Sequence, residues 1–240
     1  MTLDVGAIRL WLAGNATPTD TADSHDGQQY LGFYDLVFAA THHEMGWLPA
    51  GEFKVFTQHF GRRSTPRERR GTVFVLHGYL DHSGLQGPSI RRLLDLGFEV
   101  VTHDHPGHGL SSGDRVNIQS FEHYVDALVA VVDHYAGLPQ PHIVMGHSLG
   151  GAISMTHMLK YPHVFQKAVL VAPLFRPKGW RWIGSMHRVA GRFLRGHPRL
   201  WRNNTRDAAY RQFVREVDPM LPRFIPVEWI GSMFRWIKEF

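Results

Sequence analysis

The sequence predicts an α/β fold, a mostly parallel sheet with helices on both faces. Two observations carry that prediction. Between residues 72 and 171, short apolar runs of strand length alternate with stretches of helical periodicity, as in a sheet buried on both sides. Glycine-rich turns at 77–78, 107–109 and 146–151 each follow an apolar run. In open parallel sheets ligands sit at the carboxyl ends of the strands, so the three turns should gather on one edge.

Residues 1–30 read as an N-terminal extension, with the polar, breaker-rich stretch 13–29 as loop. Glu52 to Phe60 alternates as a strand and is followed by a basic turn around Pro66. Thr72 to Leu76 is a buried strand, Ser89 to Leu96 a short helix and Phe98 to His103 the next strand. Ile118 to Tyr135 is a longer helix with Phe121, Val125, Leu128, Val132 and Tyr135 on one stripe. Ile143 to Met145 is a strand, Ala152 to Leu159 a helix and Ala168 to Val171 a strand. These elements make residues 31–173 the core.

After Pro173 the alternation stops, and residues 174–240 read as a helical cap holding five of the seven tryptophans. On a helix, Arg181, Ser185, Arg188, Arg192 and Arg195 share one face, opposite Ile183, Met186, Ala190, Phe193 and Leu194. Such a basic amphipathic helix either packs on its own domain or rests on an anionic membrane surface. At the end of the chain, Ile230, Met233, Phe234 and Ile237 form another apolar helical stripe.

The 240 residues carry a formal charge of +5, and 43% are apolar, enough for a sizeable core. The charge is uneven: from Leu149 to Arg206 there are eleven Lys or Arg and no Asp or Glu. A basic surface suits anionic lipid, acidic substrates or nucleic acid alike, so sign alone selects none of them. The absence of cysteine excludes disulfides, thiolate metal sites and a cysteine nucleophile. The N-terminus is a poor signal peptide and no window approaches eighteen uncharged apolar residues. The chain therefore reads as cytoplasmic, with peripheral membrane contact through the basic cap.

The chemistry concentrates in His142-Ile-Val-Met-Gly-His-Ser-Leu-Gly-Gly151, an apolar strand running into Gly146-x-Ser148-x-Gly150. In this strand–turn–helix arrangement a serine sits at a sharp bend with its hydroxyl exposed, and side chains at 146 or 150 would collide in the turn. Ser148 is the candidate nucleophile. The backbone N–H of Leu149, at a helix start, is one candidate oxyanion donor. Val73-Phe-Val-Leu-His-Gly-Tyr79 is the strand and loop that supplies the second, for which the Tyr79 N–H is selected.

Four ordered motifs then resemble one family: Val75-Leu-His-Gly-Tyr-Leu-Asp-His-Ser83, Thr102-His-Asp-His-Pro-Gly-His-Gly-Leu-Ser-Ser-Gly113, Gly146-His-Ser-Leu-Gly-Gly151 and Val169-Leu-Val-Ala-Pro173. From about residue 52 onward the chain resembles the monoacylglycerol lipase and bacterial lysophospholipase branch of the α/β-hydrolases. The resemblance implies hydrolysis of a carboxylic ester, a single acyl chain on glycerol or a lysophospholipid, without a cofactor. It also implies a helical cap shaping an apolar tunnel. The family's nucleophile falls on Ser148 and its oxyanion donors on Tyr79 and Leu149.

The other two catalytic groups do not carry over. In this fold the triad runs Ser, then Asp or Glu, then His along the chain. After Ser148 the only histidines are His157, His163, His187 and His197, and the first acidic residue is Asp207, beyond all four. The resemblance places the acid and the histidine on two further strands after the cap, so the sequence reads as a hydrolase lacking its last two strands, either truncated or completed by a second polypeptide. A catalytically dead protein and an unusual triad are the alternatives. Losing those strands would leave the last strand as an exposed apolar edge.

Rival readings exist for other residues. His103, His105 and His108 around Asp104 have the residue types of a metal site, but the loop matches the family's turn, with Asp104 fixing it by hydrogen bonds. No metal is expected there. His147 is expected to pack under the serine turn. A non-catalytic lipid-binding protein, a peptidase or small-ester hydrolase, and a nucleic-acid binder are the other functions considered, and nucleic acid is not expected.

Overall fold

The computed structural model describes residues 2–15, 17–21, 24–39, 41–62, 69–176, 195–199, 201 and 205–239. Its first half runs α1 (Val5–Ala13), β1 (Thr19–Asp20), α2 (His25–Phe33), β2 (Thr41–Ala50), β3 (Phe53–Arg62), β4 (Thr72–Leu76), α3 (Gly87–Asp95) and β5 (Glu99–His103). There follow α4 (Glu122–His134), β6 (His142–His147), α5 (Leu149–Lys160), β7 (Lys167–Val171), β8 (Gly196–Pro198), α6 (Ala208–Gln212), β9 (Phe224–Pro226) and α7 (Val227–Glu239). Strands β1 to β7 make one sheet in the order β1-β2-β3-β5-β4-β6-β7. The half containing β5, β4, β6 and β7 is parallel, and β1, β2 and β3 add to it antiparallel.

Every residue of β4 and β5 is buried, which is why β4 reads as a nearly continuous apolar run. The pleat sends alternate side chains to opposite faces. Val73 and Val75 meet Ile8, Leu12, Tyr30, Ile90 and Leu94 from α1, α2 and α3. Phe74, Leu76 and Val144 meet Tyr124, Leu128, Ile153, Trp229 and Trp236 from α4, α5 and α7. All five residues of the expected α4 stripe are buried. Trp236 stacks on Phe121 at 4.4 Å and its indole N–H donates to Thr156 Oγ1 at 2.9 Å. Helix α7 is thereby fixed on the core.

Three expectations need correction. Residues 13–29 are not all loop, since α2 begins at His25 with Ser24 as its N-cap, accepting from Gly27 N at 3.0 Å. Tyr30 and Leu31 of α2 and Ile8 and Leu12 of α1 are buried, so the N-terminal extension packs on the sheet. The stretch after Pro173 is not only helical, because β8 and β9 pair antiparallel. The expected basic amphipathic helix lies in 177–194, outside the described residues apart from Arg195. No described helix is long and apolar enough to cross a membrane. At the far edge β7 pairs only with β6 among the described residues, and Val169, Leu170 and Val171 are 48%, 38% and 42% exposed.

Candidate active site

Ser148 occupies the junction of β6 and α5 at φ 50°, ψ −111°, a left-handed conformation that a non-glycine residue adopts only when its surroundings enforce it. Those surroundings are visible. Ser148 N donates to Val171 O at 3.0 Å and Leu174 N donates to Ser148 O at 2.8 Å, so the bend is tied to the end of β7. A Cβ at Gly146 would collide with the Gly150 carbonyl, and one at Gly150 with the Leu76 carbonyl. The two glycines of the motif thus let the turn close against itself and against β4. Ser148 Oγ has no hydrogen-bond partner among the described residues.

The expected second donor lies alongside. A Cβ built on Gly78 would lie 3.4 Å from Ser148 Cβ, and Gly78, Tyr79 and Ser148 line one cavity of about 460 Å³. Neither the Tyr79 N–H nor the Leu149 N–H meets a protein acceptor among the described residues. The Tyr79 ring is stacked on Trp229 of α7 at 3.5 Å and its hydroxyl donates to Val116 O at 2.8 Å, which holds the segment in place.

His147 differs from expectation. It is exposed and lines the cavity with Ser148. The reason is Gly78, where a Cβ would lie 2.9 Å from His147 Nδ1. The imidazole uses the space that glycine leaves.

Beneath the loops the chain is highly ordered. Asp104 is fully buried, and its Oδ1 and Oδ2 accept from Ser83 N and Leu110 N, each at 2.7 Å. This carboxylate ties the loop after β4 to the loop after β5. The adjoining imidazoles bond to one another and to the backbone. His105 N donates to His77 Nε2 at 3.0 Å, His105 Nε2 donates to His77 O at 2.9 Å, and His105 Nδ1 lies 3.2 Å from His103 Nε2. Burial pushes His103 and His108 down to about 4, and His77 and His105 well below the usual imidazole range. All four are neutral at pH 7. Among the described residues no group of three or more His, Asp or Glu is arranged to hold a metal ion.

Sequence reasoning missed the partners contributed from the cap. Arg199, Arg211 and Arg215 line the Ser148 cavity. The only warning was the acid-free basic stretch ending at Arg206. Asp218, also from that region, is buried against His82 with Nε2 to Oδ2 at 2.9 Å. It also accepts from Tyr34 OH at 3.1 Å and Met220 N at 2.8 Å. Burial alone would lower the His82 pKa, but the hydrogen bond and charge of Asp218 raise it, and His82 in turn lowers Asp218.

A parallel sheet with helices on both faces and a serine on a strained strand-to-helix bend define the α/β-hydrolase fold. Residues 67–240 match the family described as serine aminopeptidase, S33, and the chain belongs to it. Within that family it is 36% identical over 124 residues to human monoglyceride lipase, covering 50% of this chain and 39% of that protein. It is 35% identical over 109 residues to the monoacylglycerol lipase of Mycolicibacterium smegmatis, covering 43% and 38%. The chain thus spans well under half the length of these curated relatives. The monoacylglycerol lipase structure from Paleococcus ferrophilus superposes with a TM-score of 0.62 at 27% identity, over 77% of this chain and 70% of that one.

Proposed function

We propose that this chain carries the nucleophile and oxyanion-binding half of a serine hydrolase for lipid carboxylic esters with a single acyl chain, such as monoacylglycerols or lysophospholipids. The observation that carries the reading is Ser148, an unpartnered hydroxyl on a positive-φ bend beside the open Tyr79 and Leu149 amides. The similarity to proteins named monoglyceride lipase supports the substrate class.

In this mechanism Ser148 Oγ attacks the ester carbonyl carbon as a base removes its proton, and the carbonyl electron pair moves onto oxygen. The Tyr79 and Leu149 N–H groups stabilise that oxyanion. Collapse expels the glycerol-side alcohol, which takes the proton back, and water then releases the fatty acid from the acyl-enzyme. No histidine follows an acidic residue after Ser148 in this sequence, so the triad order of the fold assigns that base to no residue of 1–240.

The missing base also favours a second reading, in which the chain binds a lipid ester without turning it over. A fluorophosphonate probe separates the two: labelling that disappears in Ser148→Ala supports the hydrolase, whereas lipid uptake with no labelling supports the binding protein. Turnover of acetyl esters in preference to long acyl esters removes the lipid assignment.

A further inference from the structure

The cavity that holds Ser148 is unusually cationic. Arg199, Arg211 and Arg215 all line it, and Asp81 is the one acidic residue among the described lining residues. Asp81 is already occupied, its Oδ1 accepting from His82 N at 2.9 Å and its Oδ2 from Gln86 Nε2 at 3.2 Å. Neither Arg199 nor Arg211 has a carboxylate within ion-pair distance among the described residues.

The guanidinium groups of Arg199 and Arg211 are held by neutral partners. Arg199 Nη1 donates to Leu80 O at 3.2 Å and Pro222 O at 3.4 Å, and its guanidinium carbon sits 4.1 Å from the Trp201 ring centroid. Leu80 directly follows Tyr79, so Arg199 is pinned beside the oxyanion segment. Arg211 Nη1 donates to Thr205 O at 2.6 Å. Each guanidinium has five N–H donors, and these bonds engage one terminal nitrogen of each. Burial disfavours the charged form of Arg199, offset in part by the charges of Asp81 and Asp218 beyond ion-pair distance, and a partly desolvated cation gains from an anion that reaches it directly. A simple glycerol head group brings no such anion. A phosphoryl group does, and its oxygens match the planar fork of a guanidinium.

We propose that Arg199, Arg211 and Arg215 form a phosphate-recognising subsite beside Ser148, so that the acyl ester taken by this chain carries a phosphate-bearing head group. The proposal rests on the lipid-ester reading and narrows it from single-chain esters in general to anionic ones. The acyl carbonyl lies at Ser148 while the phosphate meets the arginines of the cap.

The test is calorimetric titration of the full chain, below the critical micelle concentration, with three probes. These are a monoacyl glycerophosphate, the monoacylglycerol of the same acyl chain, and inorganic phosphate. The phosphate-bearing lipid should bind at least about tenfold more tightly than the neutral lipid, since one charge-assisted contact accounts for that factor. The ratio should shrink as salt is raised and fall below about twofold in Arg211→Gln/Arg215→Gln. Arg199→Gln gives a second variant if the pair does not fold, with melting temperature as the check on both. Equal binding of the two lipids overturns the subsite yet leaves the lipid-ester reading standing. Tight binding of inorganic phosphate with neither lipid bound overturns the lipid source of the phosphate. Fluorophosphonate labelling of Ser148, measured in parallel, reports on the ester-hydrolase reading alone.

Discussion

Replacing Asp104 by Asn changes one oxygen to NH2 and alters the shape of the side chain very little. The carboxylate is fully buried, and each of its oxygens accepts one backbone amide at 2.7 Å, Ser83 N on one side and Leu110 N on the other. An asparagine has a single acceptor oxygen, so one amide must face an NH2 group. The loss of a charge-assisted bond and the orphaned buried donor together cost about 3–5 kcal/mol, reduced to about 2–4 because a buried charge is removed as well. Flipping the amide offers no escape, because it only exchanges which of the two backbone N–H groups faces the NH2. Urea unfolding followed by tryptophan fluorescence at neutral pH measures the effect. With a slope near 2 kcal/mol per molar, the midpoint should fall by about 1–2 M. A midpoint within about 0.3 M of the parent, at unchanged slope, would refute the view that this carboxylate ties the two loops.

Gly150→Ala places a methyl against the Leu76 carbonyl and 2.7 Å from the His77 carbonyl. It should cost about 1–3 kcal/mol and abolish probe labelling at Ser148, whereas undiminished labelling would contradict the tight bend. Acid should destabilise the fold between pH 7 and 5. His43, His103 and His108 are buried neutral with folded values of about 3, 4 and 4, so the unfolded chain binds protons there that the folded one does not. Each contributes about 1–2 kcal/mol of loss over that range, and a flat stability profile would count against their burial as neutral rings. His59 and His82 work the other way, because their raised values make their contribution full below about 6.5 and lost as pH rises through the folded pKa. Asp218, with a lowered value, contributes above about 3.9 and loses that contribution as pH falls through its folded pKa. The His82–Asp218 pair is therefore strongest in the window between. His82→Leu strands the Asp218 charge and should cost about 3 kcal/mol, largely regained in His82→Leu/Asp218→Leu. A single-variant cost under about 1 kcal/mol in urea unfolding would argue that the pair does not hold the cap.

How much of this was legible in the sequence follows from the range of the forces involved. Strands β4 to β6 and helices α3 to α5 were readable because burial against the core imposes local apolar patterns, and β7 because its Ala168–Val171 run is apolar in sequence although exposed. The bend at Ser148 was readable because its collisions fall on Gly146 and Gly150, within two residues of the serine. Strand β2 was not, since its inward positions include His43, whose ring is satisfied by Thr21 Oγ1 at 2.9 Å and by Gln58. Helix α2 was masked by its polar composition, although Ser24 gave a capping signal. The β8–β9 pairing joins segments on either side of α6, too far apart for a local pattern to show. The His82–Asp218 contact spans 136 residues, and no local pattern announces it.

The physical weak point of the arrangement lies on the same side of the sheet as its chemistry. Ser148 is held at a positive φ by backbone bonds from its N–H to Val171 and to its carbonyl from Leu174, the end of β7 and the loop just beyond. The strain at that residue, about 1–3 kcal/mol for a conformation of this kind, persists only while its supports are rigid. Yet among the described residues β7 is the one long strand of the sheet with a single neighbour, and its Val169, Leu170 and Val171 are partly exposed. On the opposite side β2 is flanked by β1 and β3, and the antiparallel strands are packed by α1 and α2. Unpaired strand edges open first in a native ensemble. Pairing along the β7 edge would therefore stabilise the geometry of Ser148 directly, through the two backbone bonds.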